Sequence, residues 1–339
     1  MKKFLLVLII TLISGVSEIV AQSTLVATLT HEDVITMFYG SDAFKSAHDS
    51  AASGDIITLS NGQFSGFDIT KAVTIRGAGM NSTCIKSAMY IKIPESDSYK
   101  FSMEGVGFLR ELYFYTSCSD PYFLKCKFNY GVYFEGSSLK GIFFVNCIST
   151  SAINFKSSDS STAVFSHCYL NEYTSNGNGS IQFINSIVKG TLCNFHNSSF
   201  VNCVLCGTSQ DRYGSQIFAR LPEETIAMNC TAFSYNSNQY YNSFIYSIMQ
   251  GGRIDCSTSS YEDVFKNFRG TYSDTETFEL TDEAKAKYLG TDDTEIGLYG
   301  GTYPYNPTPA YPRITKMNVA KQTTGDDKLS VEIEVSASE

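Results

Sequence analysis

Apolar and polar positions alternate in short bursts along the middle of this chain, and one burst recurs six times. Phe123-Leu124-Lys125-Cys126 is followed by Phe144-Val145-Asn146-Cys147, Phe165-Ser166-His167-Cys168, Phe183-Ile184-Asn185-Ser186, Phe200-Val201-Asn202-Cys203 and a worn copy, Ala227-Met228-Asn229-Cys230. Successive copies lie 17 to 27 residues apart. A repeat of about 20 residues marks a solenoid, in which each unit buries its apolar face only against its neighbours. Phe and Cys stand three positions apart, and in one unbroken strand such residues point to opposite faces. Both types favour the interior, so the chain must bend between them. The position before the Cys is Asn in four copies, and Asn tolerates the left-handed backbone that such a bend requires. The pattern therefore predicts strand, bend, strand. Phe128, Leu170, Val188 and Leu205 then restore the inward alternation, with Ser149 and Ala232 in that place in the other copies. A leucine-rich horseshoe would need a Leu-x-x-Leu-x-Leu consensus with helical returns, and neither is present. The expected fold class is all-β, a parallel β-helix with stacked columns of Phe, Asn and Cys.

The flanks carry other patterns. Ser41 to Ser53 reads as a helix, with Ser41 as N-cap, Ala43, Phe44, Ala47 and Ala51 on one face, and Gly54 ending it. A solenoid exposes its core at both ends, and this helix is placed to cap the first. Strands are expected at Ile56–Leu59, Phe67–Ile69 and Ala72–Ile75. Residues 81–122 are less regular, although Tyr113-Phe114-Tyr115 and Cys118 suggest early rungs, and Gly207 to Thr225 is the longest departure from the repeat. Near the C-terminus, Tyr303-Pro304-Tyr305-Asn306-Pro307 reads as a link. Ile314–Val319 and Leu329–Val335 then read as the two strands of a hairpin. A lone hairpin is marginal in water, so it should dock on the rod or pair with another chain. The expected organisation is 1–21 signal peptide, 22–55 N-terminal segment and capping helix, 56–301 β-helix, 302–312 link and 313–339 C-terminal hairpin.

The entry to the rod carries a family resemblance. The run Ser53-Gly54-Asp55-Ile56-Ile57-Thr58-Leu59, then Gly62-Gln63-Phe64, then Ile69-Thr70-Lys71-Ala72-Val73-Thr74-Ile75-Arg76-Gly77-Ala78-Gly79 resembles the opening of right-handed parallel β-helix proteins of the pectate-lyase-like superfamily. Thr294-Glu295-Ile296-Gly297-Leu298-Tyr299-Gly300-Gly301 resembles the "DIGIYGG" ending of exported bacterial β-helix proteins. The resemblance spans about residues 41–300 and implies a right-handed coil. It is specific for fold and weak for function.

Charge and composition narrow the picture. Lys2 and Lys3, an apolar run from Phe4 to Ile13, and Ala21 before Gln22 read as a secretory signal. The apolar run is too short to span a bilayer, so the protein is expected to be exported, with no membrane span. The 339 residues carry a formal charge of −9, which disfavours nucleic acid and anionic membranes as partners. It would also repel an acidic glycan unless a local basic patch or bound calcium intervenes. Ten cysteines in an exported chain would suggest disulfides. Five of them occupy one repeat position, and stacked side chains that point the same way suit disulfide geometry poorly. They read as buried thiols. Cys203 and Cys206 form a lone C-x-x-C without a matching His pair, so no zinc site is expected.

Candidate chemistry is sparse. The catalytic signatures that the resemblance would bring, among them W-x-D-H, R-x-x-R, N-T-D and G-H-G, are absent. His31 and His48 belong to the N-terminal cap region, His167 takes a bend position and His196 lies in a loop-like stretch. Asp211, Arg212, Arg220, Glu223 and Glu224, with Arg253 and Asp255, form the best charged constellation; Arg212, Arg220, Arg253 and Asp255 are the catalytic candidates. Gly77-Ala78-Gly79 lacks the helix that a phosphate cradle needs. Aromatic side chains can act as stacking plates for sugars, and Tyr235, Tyr240, Tyr241 and Tyr246 are the ligand-binding candidates. Tyr299, Tyr303, Tyr305 and Tyr311 form a second group, for which packing is the simpler role. Three functions follow as expectations: non-catalytic binding of a polysaccharide or surface glycan; a polysaccharide lyase or hydrolase, with calcium as the cofactor only in the lyase case and none otherwise; and a structural or adhesive surface protein.

Overall fold

The computed structural model describes residues 25–115, 120–135, 140–155, 161–175, 180–189, 198–206, 208–210, 216–218, 226–232, 254–255, 261–319 and 331–336. The expected signal peptide lies outside them. The chain is a parallel β-solenoid. An 11-stranded sheet and a 14-stranded sheet run its length, and the second carries a further set of short strands at its side. One coil lays a strand in each, Tyr122–Leu124, Lys127–Phe128 and Val132–Phe134. The corresponding strands of the next coil pair with these in parallel, Phe123 opposite Phe144 and Val132 opposite Ile153.

The bend residues explain how the phrase works. Lys125, Asn146, His167, Asn185, Asn202 and Asn229 all have φ between 46° and 55°, the left-handed region. Phe and Cys on either side of them therefore both turn inward. Phe123, Phe144, Phe165, Phe183 and Phe200 are each at most 1% exposed. Their rings stack at 5.1, 4.6, 5.0 and 4.8 Å between centroids. A second stack (Phe108, Phe128) and a third (Phe114, Phe134, Phe155) meet the first edge-on, which suits the ring quadrupole.

The column after the bend has its own logic. The Cys126 N–H points to the Cys147 thiol at 3.5 Å, Cys147 N–H to Cys168 at 3.4 Å, and Cys168 N–H to the Ser186 hydroxyl at 3.1 Å. Each thiol also lies near two carbonyls, Val145 O at 3.3 Å and Phe123 O at 3.4 Å for Cys147. A small side chain with a donor and an acceptor satisfies the backbone at the corner. The described cysteines are free thiols. Burial pushes those of Cys126, Cys147, Cys203 and Cys206 well up.

Several expectations need correction. The described residues of 81–122 hold regular rungs: Met103-Glu104-Gly105-Val106 is a further copy of the phrase, with Gly105 at φ 65° as its bend. The capping helix spans Ala43–Ser50 with Asp42, not Ser41, at its N-cap, and no side chain caps it. It ends before Gly54: the Lys71 ammonium binds the carbonyls of His48, Asp49 and Ala51 at 2.9, 2.7 and 2.7 Å, where the helix dipole favours a cation. The helix and β1 (Val26–His31) close the first end of the core. β1 pairs antiparallel with the first rung, β3 (Ile56–Leu59), and β2 (Val34–Tyr39) extends the sheet beyond it.

The largest departure is a return segment. Residues 261–311 run back along the outside of the rod. Val264, Phe265, Phe268, Phe278, Leu280, Ala284, Ile296 and Leu298 build a second core over Ile148, Tyr169, Ile187 and Val204. The bend column anchors it rung by rung. Asn229 donates to Leu289 O at 3.1 Å and Asn202 accepts from Thr291 N at 2.9 Å. His167 Nε2 meets Gly300 O at 2.9 Å, Lys125 donates to Thr308 O, and the Tyr311 hydroxyl reaches Gly77 O. Gly300 is required there, since a Cβ would lie 1.6 Å from Glu295 O. The "IGLYGG" run is thus a latch on the Asn column. The C-terminal strands, Arg313–Val319 and Val331–Ser336, pair antiparallel with each other as a separate two-stranded sheet.

Candidate functional site

Two neighbouring surfaces on one flank carry the chemistry. The first is a trough of about 530 Å³ lined by Lys127, Asn129, Thr150, Asn171, Lys189 and residues 271–274. Its floor is a column of outward side chains one coil apart: Asn129, Thr150, Asn171 and Lys189. At about 4.8 Å per coil this column is about 14 Å long. Asn171 organises it, donating to Thr150 O at 3.2 Å and accepting from Lys189 Nζ at 3.2 Å and the Tyr169 hydroxyl at 3.3 Å. The return segment forms the wall. Lys127, 5% exposed, ion-pairs with Asp274, lies 3.4 Å from Asn81 Oδ1, and sits 5.2 Å above the Tyr272 ring. The hydrogen bond from Lys127 holds the Asp274 carboxyl below its usual range. Burial raises the Tyr272 phenol, and nearby Asp274 adds to the effect.

The second surface is a row of tyrosines on the short strands Met89–Ile91, Leu112–Phe114 and Val132–Phe134. Tyr90, Tyr113 and Tyr133 are in register and stack at 5.3 and 5.0 Å. Period-2 alternation dictates their direction: Leu112 and Phe114 turn inward, so Tyr113 turns out. Tyr115, 46% exposed, stacks at 6.0 Å on both Tyr90 and Tyr113. Lys92 lies 5.5 Å over Tyr90 and 5.9 Å over Tyr115, and bonds Asp68 at 2.8 Å. Between row and trough, the Arg110 guanidinium lies 4.9 Å over the exposed Tyr130 ring. The stacked rings cover one another's faces, so the row presents ring edges and phenol oxygens at a pitch of one coil. Its chemistry is repeated hydrogen bonding beside apolar edges, with cations at both margins. Among the described residues, no group of three or more His, Cys, Asp or Glu is arranged to hold a metal ion.

The site residues expected from the sequence lie elsewhere. Arg212, Arg220, Arg253, Tyr235, Tyr240, Tyr241 and Tyr246 fall outside the described residues, as does His196. Asp255 is in Ile254–Asp255, the last strand of the 14-stranded sheet, opposite Thr231. His167 is a bend residue that holds the return segment. Of the second tyrosine group, Tyr299 and Tyr305 pack against the second core, Tyr311 ends the latch and Tyr303 is exposed. Sequence reasoning passed over the tyrosine row, although the recurring Tyr113-Phe114-Tyr115 and Tyr133-Phe134 held its signal: an aromatic on each parity of one strand, one of which must face out.

The fold makes this chain a parallel β-solenoid. Comparison with models of known protein families finds no match, and neither the curated proteins nor the solved structures yield one. No helix among the described residues is long and apolar enough to cross a membrane.

Proposed function

We propose that this is an exported, non-catalytic carbohydrate-binding solenoid that holds a polysaccharide or surface glycan along the flank formed by the tyrosine row and the trough. The observation that carries this reading is the register of Tyr90, Tyr113 and Tyr133. It repeats a hydroxyl and an apolar edge at an interval comparable to one sugar unit of an extended chain. The trough continues the same surface with amides, a hydroxyl and ammonium groups, the mixture that recognises sugar hydroxyls. The resemblance to the pectate-lyase-like superfamily agrees with a glycan ligand, but fold analogy alone carries little weight for function. A lyase needs a base free to take a proton beside the sugar carboxyl. The lysines of the trough are engaged, Lys127 by Asp274 and Asn81 and Lys189 by Asn171, and this favours binding over cleavage.

Affinity electrophoresis through gels containing neutral and acidic polysaccharides tests the reading. At least one glycan is expected to retard the protein, and Tyr115→Ala or Asn171→Ala should each weaken that retardation about tenfold, equivalent to about 1.4 kcal/mol. Binding to no glycan, or retardation untouched by both changes, would sink it. Release of unsaturated uronate products by the wild-type protein would replace it with the lyase reading.

A further inference from the structure

The N-terminal end of the rod carries an unfinished sheet. β2 is the terminal strand of the 11-stranded sheet, and among the described residues no strand pairs with its outer edge. Val34, Ile35, Met37 and Tyr39 are 63, 66, 51 and 62% exposed. Edge strands are usually protected by charge, proline or a covering element, yet Val34–Tyr39 contains neither charge nor proline. The return segment brings a second sheet, two-stranded among the described residues, to the same end. Tyr311 is fixed at Gly77, in the second rung, and the strand Arg313–Val319 starts two residues later.

We infer that two copies join at their N-terminal ends, the strand Arg313–Val319 of each adding to the edge of β2 in the other. Reach argues for a second copy rather than the chain's own β2. The order β2, β1, β3, Thr74–Gly77 puts a strand added beyond β2 four spacings, about 19 Å, from the Gly77 strand. Two residues span at most about 7 Å, which falls short even with the length of the Tyr311 side chain added. Charge selects the pairing strand. The turn at the start of β2 is Glu32-Asp33, and Arg313–Val319 carries Arg313 and Lys316, whereas Val331–Ser336 carries Glu332 and Glu334. Antiparallel pairing of β2 with β2 of the other copy would bring Glu32 and Asp33 toward Asp42, like against like. Because donor strand and acceptor edge sit at one end, two exchanges close a two-fold dimer and leave no open end to propagate.

Sedimentation equilibrium and zero-length carbodiimide crosslinking test the inference. The protein is expected to reach twice the mass of one chain as concentration rises. Met37→Lys on the acceptor edge should make it a monomer, and so should Lys316→Glu on the donor strand. Combining Lys316→Glu with Glu32→Lys and Asp33→Lys should restore the dimer. In a mixture of isotopically light and heavy protein, crosslinks from Lys316 to Glu32 or Asp33 should join light to heavy. A protein that stays monomeric at every concentration, a dimer that survives both single changes, or crosslinks confined within one chain would each overturn it.

Discussion

From Lys127 to Val204 the residue that follows each Cys-position corner points outward, and its chemistry changes along the rod. Over one half it is Ile148, Tyr169, Ile187 and Val204, each at most 5% exposed beneath the return segment. One coil earlier it is Lys127, at the edge of the trough. The inner columns do not change at this point: Phe123 and Phe144 stack as Phe144 and Phe165 do. The inward positions therefore encode the coil, while the outward ones encode what lies on it. An outward column that turns apolar for several coils is the imprint of a second layer; where it turns polar, at Lys127, the side chain is as buried as Ile148 but meets Asp274 and Tyr272 of that layer at the wall of the trough.

The two halves should respond differently to loss of an aromatic. Phe144 is wholly buried between two stacked neighbours and two edge-on rings. Phe144→Ala should cost about 3–5 kcal/mol, read by denaturant unfolding as one cooperative loss. Tyr169→Ala removes the ring that Phe278 and Tyr272 pack on at 4.6 and 5.6 Å. Its loss should loosen the return segment alone. Hydrogen exchange should rise within 261–305 while the Phe rungs stay protected. Equal loss of protection in both layers would show that they form a single cooperative unit.

Acidification offers a smaller perturbation of the same contrast. His48, 2% exposed under the cap, accepts a hydrogen bond from Thr70 N–H at 3.3 Å, and burial lowers its pKa to about 4. Burial also lowers that of His167 in the latch. The unfolded chain takes up a proton near pH 6.5 and the folded cap does not until about pH 4, so stability falls as pH falls through that window. The His48 share amounts to about 3 kcal/mol at most. His31, held up by Asp55, works in the opposite sense. Its contribution is present below its unfolded pKa and fades as pH rises through the folded one. Melting temperature measured between neutral pH and pH 4 should drop for the wild type and drop less for His48→Gln. An unchanged slope in that variant would remove His48 as the cause.

The coil was legible in the sequence because one conformational requirement is met by one residue type often enough to be seen: Asn at a left-handed corner. It was illegible where another residue met the same requirement, as Gly105 does after Met103-Glu104, and so residues 81–122 looked irregular. The return segment was hidden for a different reason. Its contacts join positions far apart in the chain, such as His167 with Gly300 and Tyr311 with Gly77, and periodicity carries no trace of them. The apolar residue after the corner in four successive coils, Ile148, Tyr169, Ile187 and Val204, was the available sign, and it was not used. Of the candidate site, the tyrosines of the row were visible as residues but not as a row, because their register depends on bends in the irregular-looking stretch. The trough needed both layers to be known before its walls could be paired.

The finest contrast lies in the corner that joins the two layers. Ser186 already stands where other coils have Cys. It accepts from Cys168 N–H at 3.1 Å and donates to Ile184 O at 2.8 Å. If the column were selected for apolar bulk, Cys147→Ala would be the mild change and Cys147→Ser the harsh one. If it is selected to satisfy the corner amide, the order reverses. Cys147→Ser should keep a partner for Cys126 N–H and cost less than about 1 kcal/mol, while Cys147→Ala should strand that buried N–H and cost about 1–3 kcal/mol. Denaturant midpoints of the two variants decide between these, and an alanine variant as stable as the serine one would return the thiols to the role of plain filling. The same pair has a chemical readout. The raised, buried Cys147 thiol is expected to resist alkylation in the native protein. Its labelling should therefore track global unfolding.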